Sequence, residues 1–573
     1  MKTITNTHHS IKVVLFTAAL ILMLVSISNA QQIKINAGSY LIMNGNVQLV
    51  VNNAAFNNNG NFAASNSTVV ITGNTDTTIS YVGGTNATTF NNLSISKSAN
   101  GVQLKSVSNV KNTLTVDGGT LFTDSTLFLK SDAALTARVA EIPTGCNIIG
   151  KTNVERYIPS RRAWRLMTAP LTNANSIYNS WQNSGVYTPG VGTMVTGPNP
   201  SASNGLDATA QNNTSMRMWN YSSQQFVNVT NTYVSISAEN KGFADNTGYF
   251  IFVRGDRNPS NIGIANTNNS TLTSTGSLQI GSQSFNVSSV SGAVSLIGNP
   301  YASPVDFSKL NRTNLMNRFY VWDATINILG GYVMLDDLSN SGTYTKSVGA
   351  SNQTKDIQSG QAFFIQTLNN GNASLGFTEN CKSAGNNNLM FRPTTPNTPA
   401  NLPSQFLRTN LYIVNTDNSL LLADGIFAEF NNNYSDSVLL EDAPKFTNIN
   451  ENIAFLRNGN SLAAERRPMI NANDTLFLKL WKTTQRTYQF EFIPTNLTAN
   501  QIFLIDNYLH TNIELNVAAA TAVTFSIDAN AASAASNRFM IVFKNYNVLP
   551  VSFTNVNAYQ QNNQIAVDRK SVV

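Results

Sequence analysis

The sequence predicts an all-β protein in which an N-terminal β-solenoid-like repeat region is followed by domains of the β-sandwich or jelly-roll kind. Short apolar runs of strand length alternate with Gly- and Asn-rich turns along most of the chain, and helical periodicity is nearly absent. Hydrophobic residues make up 42% of the chain and charged residues only 12%, so the surface is mostly amides and hydroxyls. We therefore expect apolar packing and backbone hydrogen bonds, rather than salt bridges, to stabilise the fold.

The first 30 residues have the pattern of a secretory signal peptide. Lys2 and Lys12 flank a polar start, an apolar run follows at residues 13–24, and small residues at 28–30 favour cleavage before Gln31. The apolar run is shorter than the ~20 residues that span a bilayer, and no Cys near the cleavage site could accept a lipid. We expect a mature chain that is secreted, carries no transmembrane segment and resides at the outer cell surface.

Residues 31–140 are predicted to form the solenoid-like repeats. Turns such as Asn44-Gly45 and Asp117-Gly118-Gly119 separate the apolar runs, because Gly and Asn reach positive φ at low cost. Each coil would bury apolar side chains against the next, with Asn side chains stacked in ladders. No fixed repeat length is evident, and a β-sandwich is the alternative for this region. The predicted strands are residues 40–43, 47–51, 67–72, 93–95, 102–104, 113–116 and 127–129.

Changes in composition divide the rest of the chain. Aromatic and Pro-containing blocks indicate a large β-rich domain, and a cluster of prolines then favours an extended linker. Regularly spaced strand-like runs follow and predict a sandwich. Two Ala-rich stretches within it, residues 518–524 and 529–535, are read as short helices or as loops. The expected segments are residues 141–392 for the large domain, 393–405 for the linker, 406–546 for the sandwich, 547–567 for the start of a further module and 568–573 for a tail.

Several sequence blocks form a set, namely residues 155–159, 164–170, 297–304, 357–366 and 465–468, followed by Leu-Pro-Val-x-Phe at 549–553. Together they resemble a family of large secreted proteins from Gram-negative bacteria that use a type IX secretion system, and the resemblance covers nearly all of the mature chain. It implies that residues 549–553 open an immunoglobulin-like module, which a C-terminal sorting domain would follow. Because no such domain follows and residues 568–573 resemble a translated sequencing adapter, we expect a truncated chain with a non-native tail.

The same family resemblance implies surface display and adhesion or matrix roles, with the secretion machinery as a partner. It brings no established catalytic residues. The formal net charge of +6 includes Lys2 and Lys12 of the leader, and no long basic stripe is present, so the composition argues against nucleic-acid binding.

Histidine and cysteine are scarce. His510 is the only imidazole outside the leader, which excludes a multi-His zinc site within one chain and requires any Ser-His-Asp triad to use this residue. Cys146 and Cys381 form either one disulfide or two free thiols.

Acidic residues support the enzyme alternative, a polysaccharide-active protein that uses a pair of carboxylates. The loop at residues 336–342 also offers hard oxygen ligands of the kind that Ca²⁺ prefers, but an Asx-rich turn explains it better. The candidate carboxylates are Asp323, Asp336, Asp337, Asp424 and Glu429.

Arginines interleaved with aromatic residues at positions 156–165 suggest binding to an anionic glycan, although guanidinium stacking on aromatic rings at a domain junction is the structural alternative. Isolated aromatic residues offer stacking platforms for sugars, although Trp is also common in cores. The arginines of this cluster are Arg156, Arg161, Arg162 and Arg165, and the candidate glycan-binding residues are Trp181, Tyr187, Trp219, Arg161 and Arg162.

Together these patterns predict a secreted or cell-surface structural or adhesion protein without catalytic, cofactor-binding or metal-binding residues. Its expected partner is an extracellular glycan or a matrix protein. The alternative is a polysaccharide-active enzyme or a carbohydrate-binding protein. Convergence of carboxylates in a cleft would favour the enzyme.

Overall fold

The computed structural model describes residues 32–74, 79–98, 100–237, 247–261, 268–384, 405–471, 474–497, 501–544 and 552–572. The protein is 51% strand and 3% helix, which confirms the predicted all-β class with a stacked solenoid-like region and further sheets. The expected leader (residues 1–30) and nearly all of the expected linker lie outside the described residues. Helix in the described part consists of short 3₁₀ turns at Asn183–Gly185, Pro259–Asn261, Phe307–Lys309, Glu379–Cys381 and Ala531–Ala534.

In the part of the chain that the structure describes, we find no helix of the length and apolarity needed to cross a bilayer.

The solenoid is built by the first fifteen strands. They are β1 (Gln32–Ile35), β2 (Tyr40–Ile42), β3 (Gln48–Asn52), β4 (Ala55–Asn58), β5 (Asn61–Ala63), β6 (Thr68–Gly73), β7 (Ser80–Gly83), β8 (Thr88–Lys97), β9 (Val102–Leu104), β10 (Ser108–Gly118), β11 (Thr120–Phe122), β12 (Leu127–Leu129), β13 (Arg138–Val139), β14 (Asn147–Ile149) and β15 (Lys151–Ile158).

Successive coils pair in parallel along two long sheets and one short sheet. The long sheets run β1-β4-β7-β9-β11-β14 and β3-β6-β8-β10-β12-β15, and β2 pairs with β5 on the third side. Val102 pairs with Leu121, whereas Thr120 pairs with Asn147, so the number of residues per coil varies. This variation explains why the sequence shows no fixed repeat.

Inward-facing apolar side chains fill the solenoid. The rings of Phe56, Phe62 and Phe90 contact one another with centroids 5.3–5.9 Å apart, and Phe56 and Phe90 are fully buried. On the outer face, the side-chain amide of Asn112 donates to Asn92 Oδ1 (2.9 Å), and that of Asn92 donates to Thr68 Oγ1 (3.2 Å). Polar side chains thus form a ladder between coils, as expected.

The following strands, in chain order, are β16 (Ala163–Met167), β17 (Leu171–Thr172), β18 (Met216–Asn220), β19 (Gln225–Asn228), β20 (Tyr249–Val253), β21 (Ser270–Leu278), β22 (Gln283–Asn286), β23 (Val294–Gly298), β24 (Val305–Asp306), β25 (Asn311–Thr313), β26 (Leu315–Asp323), β27 (Gly331–Asp336), β28 (Thr345–Lys346), β29 (Asp356–Ile357), β30 (Ala362–Thr367) and β31 (Ser374–Phe377).

The remaining strands are β32 (Gln405–Val414), β33 (Leu420–Phe430), β34 (Ala443–Pro444), β35 (Asn452–Arg457), β36 (Asn460–Arg467), β37 (Thr475–Trp481), β38 (Arg486–Thr495), β39 (Gln501–Asp506), β40 (Thr511–Leu515), β41 (Thr521–Ile527), β42 (Phe539–Lys544), β43 (Ser552–Gln561) and β44 (Gln564–Val572). The two Ala-rich stretches therefore contribute strand β41 and the 3₁₀ turn at Ala531–Ala534.

Contacts divide the chain into two compact units. The first contains Met1–Leu315 and Lys355–Arg392, and the second contains Met316–Thr354 and Pro393–Val573. Residues 316–354, which the sequence assigns to the large middle domain, therefore belong with the C-terminal part. Among the contacts that join them to it, Asp336 of hairpin β26–β27 forms an ion pair with Arg466 on β36.

In the first unit, the solenoid continues directly into antiparallel structure. Strand β15 pairs in parallel with β12 on one side and antiparallel with β21 on the other, and β21 also pairs with β17. A four-stranded sheet follows in the order β16-β20-β18-β19, with the smaller sets β22-β31-β25, β23-β30 and β24-β29. One buried apolar cluster runs from Ile35 in the first coil to Ala302.

The second unit contains a large sheet in the order β40-β39-β42-β37-β35-β36-β33-β32-β38-β41, with β34 on β36. Neighbours pair antiparallel except β33 and β36, which are parallel. The rings of Phe490, Phe525 and Phe539 contact one another in its core, with centroids 4.5–5.0 Å apart. Strands β26-β27-β28 add an antiparallel set, and β43 pairs with β44 in a hairpin that includes most of the expected tail.

Both cysteines are free thiols, Cys146 partly buried and Cys381 fully buried. Burial raises the pKa of the Cys381 thiol to about 11. Of the two alternatives that the sequence left open, the structure therefore contains the free thiols.

We predict that Phe90→Ala lowers the free energy of unfolding by about 3–5 kcal/mol, because it removes a fully buried ring and leaves a cavity between coils. Urea denaturation followed by circular dichroism measures the change. Ser94→Ala, on the half-buried outer face of the same strand, should stay within about 0.5 kcal/mol of wild type. Equal losses in both variants would contradict the solenoid core.

Candidate functional site

Three adjacent strands of the first unit, β16, β20 and β18, form the platform of the candidate site. In their antiparallel register Trp164 lies opposite Phe252, and Arg217 lies opposite Phe250. Directly opposed residues point to the same side of a sheet, and residues two apart along a strand do as well. Trp164, Arg217, Phe250 and Phe252 therefore share one face.

The other face of these strands belongs to the core of the first unit. It carries Met167, Met216, Tyr249, Ile251 and Val253, all fully buried. This packing fixes the platform and leaves the opposite face to carry the polar groups.

We call the residues Arg162, Trp164, Arg217, Phe252 and Arg254 the arginine–aromatic face. Trp164 and Arg254 are each 8% exposed, and the other three are half-buried. The guanidinium carbon of Arg217 lies 5.0 Å from the ring centroid of Trp164. Those of Arg162 and Arg254 lie 5.6 Å and 4.9 Å from the ring centroid of Phe252. Each arginine thus stacks on an aromatic ring.

A row of aromatic rings continues across the sheet beneath these arginines. Trp164 stacks on Phe250 at 4.5 Å between centroids, and Phe250 stacks on Phe226 at 5.0 Å. Phe226 meets Trp219 edge to face at 5.1 Å. The rings form a rigid support, since each ring is in contact with its neighbour.

Two of the arginines lack polar partners. Among the described residues, Arg217 and Arg254 donate no side-chain hydrogen bond and form no ion pair, and Arg217 Nε and Arg254 Nη1 are buried without a partner. Arg161 and Arg162, by contrast, have other interaction partners. A buried guanidinium without an acceptor is costly, because the group loses its hydration without replacement.

The electrostatic environment of Arg254 is consistent with the lack of an acceptor among the described residues. Burial, followed by the positive charge of Arg162, lowers the pKa of Arg254 to about 10, although the negative charge of Asp207 acts in the opposite direction. Asp207 is itself engaged by Arg257 through two hydrogen bonds of 2.7 and 2.9 Å. Positive charge on this face is therefore left without a dedicated counter-charge in the described part of the unit.

The structure brings some of the sequence-predicted glycan residues together and separates others. Arg162 and Trp219 lie on the same side of this sheet, with Trp219 Nε1 donating to the carbonyl of Val294 (3.0 Å). Arg161 immediately precedes Arg162 and is half-buried. Trp181 is 2% exposed and packs against Tyr249 on the core side, so its ring offers no face to an external sugar. Tyr187 is 45% exposed in a loop after Asn183–Gly185.

The other two arginines of the cluster at positions 156–165 donate hydrogen bonds to backbone carbonyls. Arg156 donates to the carbonyl of Ser359, and Arg165 donates to the carbonyls of Ala163 (3.0 Å) and Arg161 (3.1 Å). Arg165 is 1% exposed, and burial, followed by the charge of Arg161, lowers its pKa to about 9. Both residues are structural.

Sequence reasoning missed Arg217 and Arg254, since neither lies near the arginine cluster at positions 156–165. The alternation of side chains along a strand could have indicated them, because Arg217 is two residues before Trp219 and Arg254 is two residues after Phe252. Strand pairing, which the sequence does not specify, places Arg217 against Trp164 and brings Phe252, on which Arg254 stacks, next to Trp164.

The candidate carboxylates all lie in the second unit, where charged and polar donors engage them. Arg466 binds Asp336 through two hydrogen bonds of 2.9 and 3.0 Å and also binds Glu429 at 2.8 Å. Arg318 contacts Asp336 at 3.0 Å. Burial alone would raise the pKa of Asp336, but the charges of Arg466 and Arg318 outweigh it and hold this pKa below its usual value.

The other three carboxylates have equally specific partners. Asp424 is fully buried against Lys445 (2.5 Å) and accepts from the backbone N–H of Ile453 (2.9 Å), and burial raises its pKa. Asp323 accepts from Ser351 and Thr325. Asp337 accepts from the backbone N–H groups of its own loop, at residues 341 and 342, which makes this segment the Asx-rich turn that the sequence favours.

No cluster of three or more His, Cys, Asp or Glu side chains suited to a metal ion occurs among the described residues. His510 lies exposed, with φ of 55°, in the turn between β39 and β40.

The comparisons with known proteins identify a family without an assigned activity. A family model described as a domain of unknown function, DUF8693, matches residues 195–543, so the chain belongs to this family. The match includes Arg217, Trp219 and Arg254 but not Arg162 or Trp164. No curated protein and no solved structure matches the chain.

Glu465 provides a pH-dependent test of the buried charges in the second unit. It is 2% exposed, its Oε2 has no hydrogen-bond partner, and Arg457 and Arg467 lie 3.6 Å from its Oε1. Burial raises the pKa of Glu465 to about 7, although these arginines act to lower it. The folded protein therefore retains a proton that the unfolded chain releases, and stability falls as the pH rises towards 7.

We predict that Glu465→Gln increases the free energy of unfolding at pH 8 by about 1–3 kcal/mol relative to wild type, with little difference near pH 4.5. Urea denaturation of both proteins across this range measures the difference. An effect of Glu465→Gln that is the same at both pH values would contradict the raised pKa.

Proposed function

We propose that this member of the DUF8693 family is a non-catalytic adhesion protein that acts outside the cell and binds an anionic glycan at the arginine–aromatic face. The observation that carries the proposal is the pair of guanidinium groups, Arg217 and Arg254, which have no acceptor among the described residues. Sulfate or carboxylate groups on a polymer would supply both the missing acceptors and the missing negative charge.

The aromatic part of the face supports a sugar rather than a simple anion. Trp164 and Phe252 hold the arginines by stacking, which keeps the planar donor groups in one orientation. The half-buried ring of Phe252 adds apolar surface next to the charge. Pyranose rings combine apolar C–H faces with polar substituents, and this surface offers a complement to both.

Export is supported by the leader-like sequence at residues 1–30 and by the resemblance to type IX cargo.

The enzyme alternative receives less support. Asp336 and Glu429 are bound to arginines, and Asp424 is buried against Lys445, so these carboxylates have structural roles. A matrix protein remains the second partner class, and no particular surface of the described residues favours it over a glycan.

We predict that Arg217→Ala and Arg254→Ala each weaken binding of the mature chain to dextran sulfate by about tenfold or more. Each removes charge-assisted hydrogen bonds worth about 1.5–3 kcal/mol. Arg254→Lys should recover part of the affinity, because it keeps the charge but loses the planar donor group. Isothermal titration calorimetry measures the affinities.

Two controls test whether binding depends on the proposed site and on the sulfate groups. Arg486→Ala removes the same charge at an exposed site of the second unit and should leave binding unchanged. Unsulfated dextran should bind weakly or not at all, and added salt should weaken binding to the sulfated polymer. Equal binding by all variants would contradict the proposed site, and release of reducing ends from a glycan panel would contradict the non-catalytic assignment.

A further inference from the structure

The first coil of the solenoid has a free edge on all of its sides. Strands β1, β2 and β3 pair with β4, β5 and β6, and no other described strand pairs with them. Their outer N–H and C=O groups are therefore available for pairing with another strand.

The hydrophobic core is also open at this end. Three inward-facing residues of the first coil, Ile33, Leu41 and Leu49, are only partly buried, although Ile35, Met43 and Val51 of the same coil are 1–6% exposed. Large apolar residues are exposed on the same coil, namely Tyr40, Ile42, Val47 and Val50. The end repeats of solenoids need a cap to remain soluble, because an open end exposes both core and strand edge.

We infer that the open end binds the open end of a second copy of this chain, so that β3 pairs antiparallel with β3 of the partner about a two-fold axis through Val50. Strand β3 reads Gln-Leu-Val-Val-Asn and contains neither a charge nor a proline that would block edge pairing. A two-fold interface must be self-complementary.

The sequence of β3 meets this condition. In the proposed register Leu49 lies opposite Val51 of the partner subunit, and both point into the core. Gln48 lies opposite Asn52 of the partner subunit, and both point outward. The same two-fold axis places β1 opposite β2 of the partner subunit, where Ile33 faces an edge that carries Leu41.

This inference rests on one part of the proposed function, the removal of the leader. After the proposed cleavage before Gln31, strand β1 begins at the second residue of the mature chain, so the leader would not cover the open end. N-terminal sequencing of the exported protein tests the cleavage separately from the association.

Val50→Lys tests the association. We predict that the mature chain sediments as a concentration-dependent dimer and that Val50→Lys sediments as a monomer, because two lysines would meet on the two-fold axis. The matched control is Val70→Lys, since Val70 pairs with Val50 and faces outward on the next coil. This variant should still form the dimer, and circular dichroism checks that both variants fold.

A cysteine at the same position tests the register. In a Cys146→Ser background, Val50→Cys should form a disulfide-linked dimer under mild oxidation, because opposed residues of antiparallel strands approach closely enough for a disulfide. Val70→Cys should not. A mature chain that is monomeric at every concentration, or a dimer that survives Val50→Lys, would overturn the inference with the proposed export intact, whereas retention of the leader would contradict export and remove the premise of an uncovered end.

Discussion

Backbone hydrogen bonding between strands of successive coils is the interaction on which the first unit depends. One sheet begins at β3, continues in parallel through β15 and then pairs antiparallel with β21, so the solenoid and the following structure share a single ladder. With charged residues at only 12% of the chain, ion pairs could not replace this ladder. Strands β21 and β17 extend this ladder, whereas the platform of the arginine–aromatic face is the separate sheet β16-β20-β18-β19, which packs on the same buried apolar cluster.

Some buried charges of the protein have a counter-charge, as in the pair of Arg257 with Asp207, and others have none in the described part of the chain. In the second unit Asp336 lies between Arg318 and Arg466, so a buried charge is neutralised by groups of the same unit. In the first unit Arg217 and Arg254 stack on aromatic rings without an acceptor among the described residues. This contrast between arginines with and without an acceptor is the basis of the glycan site that we propose.

The all-β class could be predicted from the sequence, because runs such as residues 127–129 and turns such as Asn44-Gly45 are local signals. The sequence could not predict that residues 316–354 belong to the second unit. That assignment depends on contacts between residues far apart in the chain, such as Asp336 and Arg466. The candidate site was predictable only in part. Arg162 and Trp219 were found by their residue types, but Arg217 and the ring of Phe252, on which Arg254 stacks, meet Trp164 only through the register of β16, β18 and β20.

The most direct test of the account is a crystal structure of the mature chain in complex with a short sulfated dextran oligosaccharide. The account predicts a sulfate group within hydrogen-bond distance of the guanidinium groups of Arg217 and Arg254, with a sugar ring against the half-buried ring of Phe252. An oligosaccharide bound at another surface, with no contact to either arginine, would contradict it.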